Sequence, residues 1–248
     1  MKTNKWIILL LIVFCRCANV KNNVEECTID CDLCIKFPEV NDRYVYQSHG
    51  TMEWQVESYD DFFNICQLPE DVLGNISTLG LIDAVLHIPC FQGFFILSNN
   101  SSALKWNDFY QYFNSANALF QRDDVGDVLV DYYKNVNVKC LDIPYGRYGN
   151  FERLLNLECL FTNQAILDKM SQEKKKEAVA SILSNYKQCP SNWFCIFPMV
   201  YIMYDDQYAP IMKYAQEHVN EFRYILAGEY LSEDLIDIMF SFAKSYIK

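Results

Sequence analysis

The chain has 248 residues and a formal net charge of −11, with 32 acidic side chains against 21 basic ones. An acidic surface repels the phosphates of nucleic acids, which argues against a nucleic-acid-binding function. Apolar residues make up 51% of the sequence and aromatic residues 15%. The chain can therefore bury a core for one or two domains and does not have the composition of a disordered protein.

Residues 1–17 have the features of a secretory signal peptide. Lys2 and Lys5 precede an uninterrupted apolar stretch over residues 6–14, and small residues follow where a signal peptidase cuts. The apolar stretch is about nine residues long, against roughly 20 for a membrane-spanning helix. We therefore expect a cleaved leader, a secreted mature protein and no stable membrane span.

Cysteines of a secreted chain are disulfide candidates. Nine of them lie beyond the leader: Cys27, Cys31, Cys34, Cys66, Cys90, Cys140, Cys159, Cys189 and Cys195. Cleavage after Cys15 would add Cys17 and make the number even, whereas cleavage after Cys17 leaves it odd; both sites fit the pattern. Cys31 and Cys34 have the spacing of a redox site, but the acidic residues around them disfavour thiolates, so we predict structural disulfides.

Residues 18–57 differ from the rest of the chain. Cysteines cluster there, and Val45, Trp54 and Val56 have the spacing of short extended segments. We predict a Cys-rich N-terminal extension over 18–57, followed by a mostly α-helical, disulfide-stabilised domain over 58–248.

Apolar residues recur with helical spacing from Tyr59 onward, and glycine is scarce. The first helix should begin at Pro69, where proline and acidic residues favour a helix start, and should continue until Pro89 ends it. The next two helices are predicted over 104–121 and 124–138.

The C-terminal half continues this helical pattern. Further helices are predicted over 151–170, 171–188, 208–227 and 232–247. Ser171 and Ser232 are the expected N-caps of two of them. Residues 188–204 carry no charge and predict a central buried helix rather than a membrane-inserting element.

Two stretches of the helical part align with each other about 70 residues apart. The aligned positions are Tyr59, Cys66, Pro69 and Cys90 in the first stretch and Tyr133, Cys140, Pro144 and Cys159 in the second. Either a duplicated unit, with repeats over 59–122 and 132–190, or chance in a chain with 17 tyrosines explains the pattern. Pairing within each unit, Cys66 with Cys90 and Cys140 with Cys159, would support the duplication.

A leader followed by two such units, in a helical chain rich in Asn, Tyr and Asp, resembles the bicycle proteins, which are secreted effectors of gall-forming insects. The resemblance covers residues 59–190 and rests on Tyr59, Cys66, Cys90, Tyr133, Cys140 and Cys159. It departs from the family pattern because no tyrosine lies between Cys66 and Cys90. The resemblance implies delivery into host tissue and action on a host target, with no catalytic residues to transfer.

Acidic residues supply one candidate catalytic motif. Residues 123–127 fit DDxxD, the pattern that binds magnesium and diphosphate in helical prenyl-transfer enzymes, and Asp205 and Asp206 lie downstream. Such matches are common in an acidic chain, and Asp124 suits an ordinary helix start, so we expect no metal and no cofactor. His87 is expected to be a partly buried histidine rather than a metal ligand.

Asn75, Asn99 and Asn100 begin glycosylation sequons. The pair at 99 and 100 is expected in an exposed loop, whereas Asn75 falls inside a predicted helix.

These features predict a secreted, acidic glycoprotein without catalytic activity, which binds a protein partner and, in the narrower form, acts as an effector on a host protein. Two other functions fit the sequence. Aromatic and Met-rich helices such as 188–204 could line a cavity of a carrier for small apolar ligands. Alternatively, paired carboxylates could serve a secreted hydrolase or lyase.

Overall fold

The structure, a computed structural model, describes residues 35–46, 63–88, 109–138, 149–188, 195–227 and 231–248. Its elements in chain order are β1 (Ile35–Lys36), α1 (Glu70–Asn75), α2 (Thr78–Leu86), α3 (Asn114–Gln121), α4 (Val125–Lys134), β2 (Asn137–Val138), α5 (Gly149–Leu160), α6 (Gln164–Leu167), α7 (Gln172–Gln188), α8 (Ile196–Asp205), α9 (Ala209–Glu217), α10 (Val219–Ala227) and α11 (Glu233–Tyr246). The described residues are mostly helical, which confirms the mostly α-helical part of the predicted fold class.

Contacts among six helices build the core of the described part. α2 contacts α3 and α4, α4 contacts α7, and α7 contacts α8 and α11. One hydrophobic cluster of buried residues extends from Ile35 to Tyr246. None of the described helices combines the length and apolarity that a membrane crossing needs.

A short antiparallel sheet joins the N-terminal segment to the helices. Ile35 pairs with Val138, and both side chains are buried. The predicted helix over 124–138 was therefore wrong at its end, because α4 stops at Lys134 and the chain turns into β2. Residues 1–34 and 47–62 lie outside the described part, so the leader and the domain boundary stay predictions.

The predicted continuous helix from Pro69 to Pro89 is wrong, because the chain bends between α1 and α2. Ile76 has an extended backbone and a buried side chain. Ser77 begins a new helix by accepting a hydrogen bond from the backbone N–H of Gly80 at 3.0 Å. This side-chain cap stabilises the start of α2 at a point where the apolar spacing alone predicts an uninterrupted helix.

Two other predicted helices are also divided. The helix over 151–170 breaks before α6, where the Asn163 side chain accepts from the Ala165 N–H at 3.0 Å. The helix over 208–227 breaks at His218, between α9 and α10. In each case the apolar period continues through the break, which is why periodicity alone predicted one helix.

α3 begins at Asn114, later than the predicted start at 104; residues 104–108 lie outside the described part. The Asn114 side chain binds the backbone of Leu68, accepting from its N–H and donating to its carbonyl oxygen, both at 2.8 Å. This tertiary contact stabilises the helix start.

The local caps in the C-terminal half are confirmed. Ser171 accepts from the Lys174 N–H at 3.2 Å at the start of α7, and Ser232 accepts from the Leu235 N–H at 3.4 Å at the start of α11. The central buried helix is also confirmed, because α8 packs against α7, α9, α10 and α11 and most of its side chains are fully buried.

Candidate functional site

A buried carboxylate on α2 organises the candidate site. Asp83 has no solvent exposure, and it is surrounded by Arg43, His87 and Arg153, with Tyr132 beside Arg153. We call these five residues the Asp83 cluster. A carboxylate in the interior is stable only when cations and hydrogen-bond donors surround it.

The two arginines bind Asp83 from different sides. Arg43 makes a two-point contact, with Nε 2.9 Å from Oδ2 and Nη2 3.2 Å from Oδ1. Arg153 places Nη2 2.6 Å from Oδ1. His87 places Nδ1 3.2 Å from Oδ2 and 2.7 Å from the Asp83 carbonyl oxygen. Both carboxylate oxygens therefore have charged or ionisable partners.

Four parts of the fold meet at this cluster. Asp83 lies on α2 and His87 directly follows this helix, one turn after Asp83. Tyr132 lies on α4, Arg153 lies on α5, and Arg43 comes from the segment after β1. α2 packs against α4 and α5, and α5 packs against β1. Because each partner comes from a separate element, the folded core holds their relative positions.

Phe37 and Tyr132 enclose the inner arginine. The Phe37 ring lies 4.2 Å from Arg153 Cζ, a cation–π distance, and Arg153 Nη2 donates to the Tyr132 hydroxyl at 3.2 Å. Arg153 Nε is buried and has no hydrogen-bond partner within the described residues. The guanidinium is thus held by its contacts to Asp83, Tyr132 and Phe37, and its buried Nε–H is unused within the described residues.

The ionisation of the cluster follows from these contacts. Burial raises the pKa of Asp83, but the hydrogen bond and charge of His87, together with Arg153 and Arg43, outweigh burial and leave that pKa below its ordinary value. Burial raises the pKa of Tyr132 to about 12. At neutral pH the carboxylate is therefore ionised and the phenol is protonated.

The cluster has more positive than negative charge. Two guanidinium groups face one carboxylate, in a protein whose formal charge is −11. Asp83 is 0% exposed and Arg153 12%, whereas Arg43 is 41% exposed and His87 34%. The face that solvent reaches is therefore cationic.

A second buried polar contact lies deeper in the core. The Tyr133 hydroxyl on α4 donates to Glu158 Oε1 on α5 at 2.8 Å, and both residues are fully buried. Burial, followed by the charge of Glu158, raises the pKa of Tyr133 well above its ordinary value and outweighs a hydrogen bond with Asn185 that lowers it. The pair joins α4 to α5.

The structure describes three of the cysteine candidates, Cys66, Cys159 and Cys195, and all are buried. No disulfide joins any two of these three, so disulfide stabilisation is not seen in the described part. Cys159 is a thiol, and burial followed by the charge of Glu158 raises its pKa, which makes it a poor nucleophile. The candidates outside the described residues are Cys27, Cys31, Cys34, Cys90, Cys140 and Cys189.

Of the sequon asparagines, the structure describes Asn75. It is exposed at the end of α1, and its amide donates to the Asp71 carbonyl oxygen at 2.8 Å. Asn99 and Asn100 lie outside the described residues. Glycosylation stays a prediction at all three positions.

The acidic motifs make ordinary structural contacts. Asp124 accepts from the Thr78 hydroxyl at 2.7 Å, whereas Asp205 accepts from Lys175 at 2.5 Å and from Gln164 at 2.6 Å. Within the described ranges, no group of three or more His, Cys, Asp or Glu side chains is arranged to hold a metal ion.

Sequence reasoning missed Arg43, Asp83 and Arg153. One signal was present: Asp83 is a charged residue inside the apolar stretch 81–86 of α2. A buried acid in such a stretch requires a cationic partner. The partners themselves are distant in sequence, with no local pattern that marks them. His87 was correctly predicted to be partly buried.

Neither the protein-family models nor the curated proteins and solved structures contain a match to this chain.

Proposed function

We propose that this protein is a secreted, non-enzymatic binding protein that engages a partner at the Asp83 cluster. The observation that carries the proposal is the fixed position of Arg43, a half-exposed guanidinium held by two hydrogen bonds to a buried carboxylate. A cation held in one orientation loses little entropy when a partner binds.

The ionisation of the cluster supports binding over acid–base catalysis. A catalytic acid or base works best with a pKa near the working pH. The pKa of Asp83 lies below its ordinary value, and that of Tyr132 is raised to about 12. Asp83 and Tyr132 therefore keep one charge state around neutral pH, which suits a recognition surface better than a proton-transfer site.

The neighbourhood of Arg43 supports a protein as the partner. Val45, two residues further along, is 75% exposed, and the half-buried Tyr44 lies between them. Arginine and tyrosine are enriched among the residues that dominate binding energy in protein interfaces. In the narrower form of the proposal, based on the leader and the resemblance to bicycle proteins, the protein is an effector and its partner is a host protein.

Site-specific photo-crosslinking tests this function. A photo-crosslinking amino acid replaces Val45 in one variant and Lys213, an exposed residue of α9, in the control variant. Each is irradiated in extracts of the producing organism and of its host tissue. We expect a discrete adduct from position 45 that position 213 does not give and that Arg43→Gln removes. Identical adducts from both positions, or an adduct independent of Arg43, would contradict the proposal.

A further inference from the structure

Arg43 and His87 contact the same carboxylate oxygen of Asp83. Arg43 Nε is 2.9 Å and His87 Nδ1 is 3.2 Å from Asp83 Oδ2. Their outer nitrogens, Nη1 of Arg43 and Nε2 of His87, make no hydrogen bond within the described part of the chain. Two unused nitrogens therefore lie on neighbouring, solvent-exposed side chains.

The contacts of His87 determine which of its nitrogens carries the proton. Nδ1 faces two acceptors, the Asp83 carbonyl oxygen at 2.7 Å and Asp83 Oδ2 at 3.2 Å. Nδ1 must therefore be the donor, and Nε2 becomes a donor only when the ring takes up a second proton. His87 also follows the C-terminus of α2, where the helix dipole favours a cation.

Arg153, the more buried of the two arginines, adds positive charge to the cluster. Its guanidinium is held between Asp83, Tyr132 and the face of Phe37, and its Nε has no acceptor within the described residues. With His87 protonated, three cations face one carboxylate. This excess of positive charge attracts an anion to the solvent-exposed side of the cluster, where Arg43 and His87 lie.

The surroundings limit the size of that anion. Glu39 and Asp42 are exposed on the same segment as Arg43, and the whole chain has a formal charge of −11. A long polyanion would also meet the exposed carboxylates of Glu39 and Asp42 and would be repelled by the acidic chain. A single carboxylate or phosphate group would interact mainly with the cluster.

We propose that the Asp83 cluster binds one carboxylate or phosphate group between Arg43 and His87, and that the His87 ring takes up a proton from solvent when the group binds. This inference rests on the proposed function, because it names the chemical group through which a partner binds. In a protein partner that group is an acidic side chain or the terminal carboxylate. Arg43 donates from Nη1, protonated His87 donates from Nε2, and Arg153 supplies charge without leaving its buried position.

Histidine NMR provides the test, using the full-length protein with labelled imidazole nitrogens. Sodium acetate, sodium phosphate and sodium chloride are titrated at matched ionic strength. We expect acetate and phosphate to shift the His87 signals saturably, whereas chloride does not. His218 is an internal control, since its Nδ1 lies 3.5 Å from Glu221 Oε2 and no arginine accompanies that pair among the described ion pairs. Its signals should stay unchanged.

Variants and pH identify the groups responsible. Arg43→Gln should weaken acetate binding by about tenfold or more, as expected for one lost charge-assisted hydrogen bond, and Lys213→Gln should leave it unchanged. Binding should tighten as the pH is lowered, because Nε2 of His87 becomes a donor only when the ring carries a second proton. His87→Gln should remove this pH dependence.

A heparin fragment tests the size of the anion. It should bind more weakly per anionic group than acetate.

Three results would overturn the inference: an unshifted His87, equal shifts at His87 and His218, or equal acetate affinity in Arg43→Gln. Tighter binding of heparin than of acetate, compared per anionic group, would also contradict it, because the site would then select a polyanion. These failures are distinguishable from failure of the proposed function. An Arg43-dependent crosslink at position 45 without anion binding would leave the proposed binding function intact. It would refute only the claim that a carboxylate or phosphate group is the bound chemical group.

Discussion

Asp42 binds the start of α2 through Ser77: its carboxylate accepts from the Ser77 backbone N–H at 2.6 Å and from the Ser77 hydroxyl at 3.1 Å. The same hydroxyl accepts from the Gly80 N–H. Because Arg43 is the next residue, one short segment contacts α2 both at its first turn and at Asp83. The position of the cationic site therefore depends on how this segment binds α2.

Gly80 permits that approach. A Cβ at position 80 would lie 2.8 Å from both Asp42 carboxylate oxygens and 2.6 Å from Ile76 Cγ1. Gly80→Ala should lower the free energy of unfolding by about 1–3 kcal/mol, the usual cost of overpacking. Gly74→Ala is the matched control, since nothing lies within 4 Å of its Cβ, and it should raise stability by roughly 0.5–1 kcal/mol. Urea denaturation measures both, and equal effects would contradict the contact with Asp42.

Asp83→Asn removes the carboxylate that the arginines share. Arg153 would remain buried without its counter-charge, so we expect a loss of about 3–5 kcal/mol in unfolding free energy. Asp131→Asn makes the same change in the exposed ion pair with Lys174, whose Nζ lies 2.8 Å from Asp131 Oδ1, and should cost about 0–1 kcal/mol. A loss at Asp83 no larger than at Asp131 would show that the buried pairs contribute little.

The contribution of Asp83 to the free energy of unfolding should decrease at acid pH. Its pKa in the folded protein is below the ordinary value, chiefly because His87, Arg153 and Arg43 outweigh the effect of burial. The folded state therefore binds this proton less readily than the unfolded state, so the contribution is present above about pH 4 and is lost as pH falls further. The difference in unfolding free energy between wild type and Asp83→Asn should shrink below that pH. A constant difference would be inconsistent with a lowered pKa.

Alkaline titration tests two buried phenols. Burial raises the pKa of Tyr132 and of Tyr201 to about 12. Because both folded pKa values exceed the ordinary value of about 10, their contribution to stability is complete below that pH and decreases as pH rises toward 12. Tyr132→Phe should remove one late-ionising group from the near-ultraviolet absorbance titration, whereas Tyr224→Phe, at an exposed position, should leave the late phase unchanged. Loss of the late phase in the Tyr224 variant would refute the assignment.

Thiol labelling tests the state of Cys159. The residue is a buried thiol with a raised pKa, so it should resist a maleimide in the folded protein and react after unfolding without a reductant. Peptide mass spectrometry identifies the labelled site. A Cys140–Cys159 disulfide, as the duplicated-unit hypothesis favours, would instead leave Cys159 unlabelled until a reductant is added.

Local sequence features predicted much of the helical structure. Ser171 and Ser232 were correctly identified as N-caps because a cap needs only the residues of its own first turn. The breaks at Ile76 and His218 were missed, since the apolar period passes through both. At Ile76 the break also involves Asp42, which binds the adjacent Ser77 from 35 residues away.

The sequence by itself determined the helical fold class, the acidic charge and the burial of α8, because these follow from composition and from periodicity within single helices. The tertiary structure alone decided which charges meet at the candidate site. Arg43 lies 40 residues and Arg153 70 residues from Asp83, and only the packing of α2 against α5 and the N-terminal segment brings them together. A buried carboxylate requires cations, but its burial and its partners are both products of the folded core.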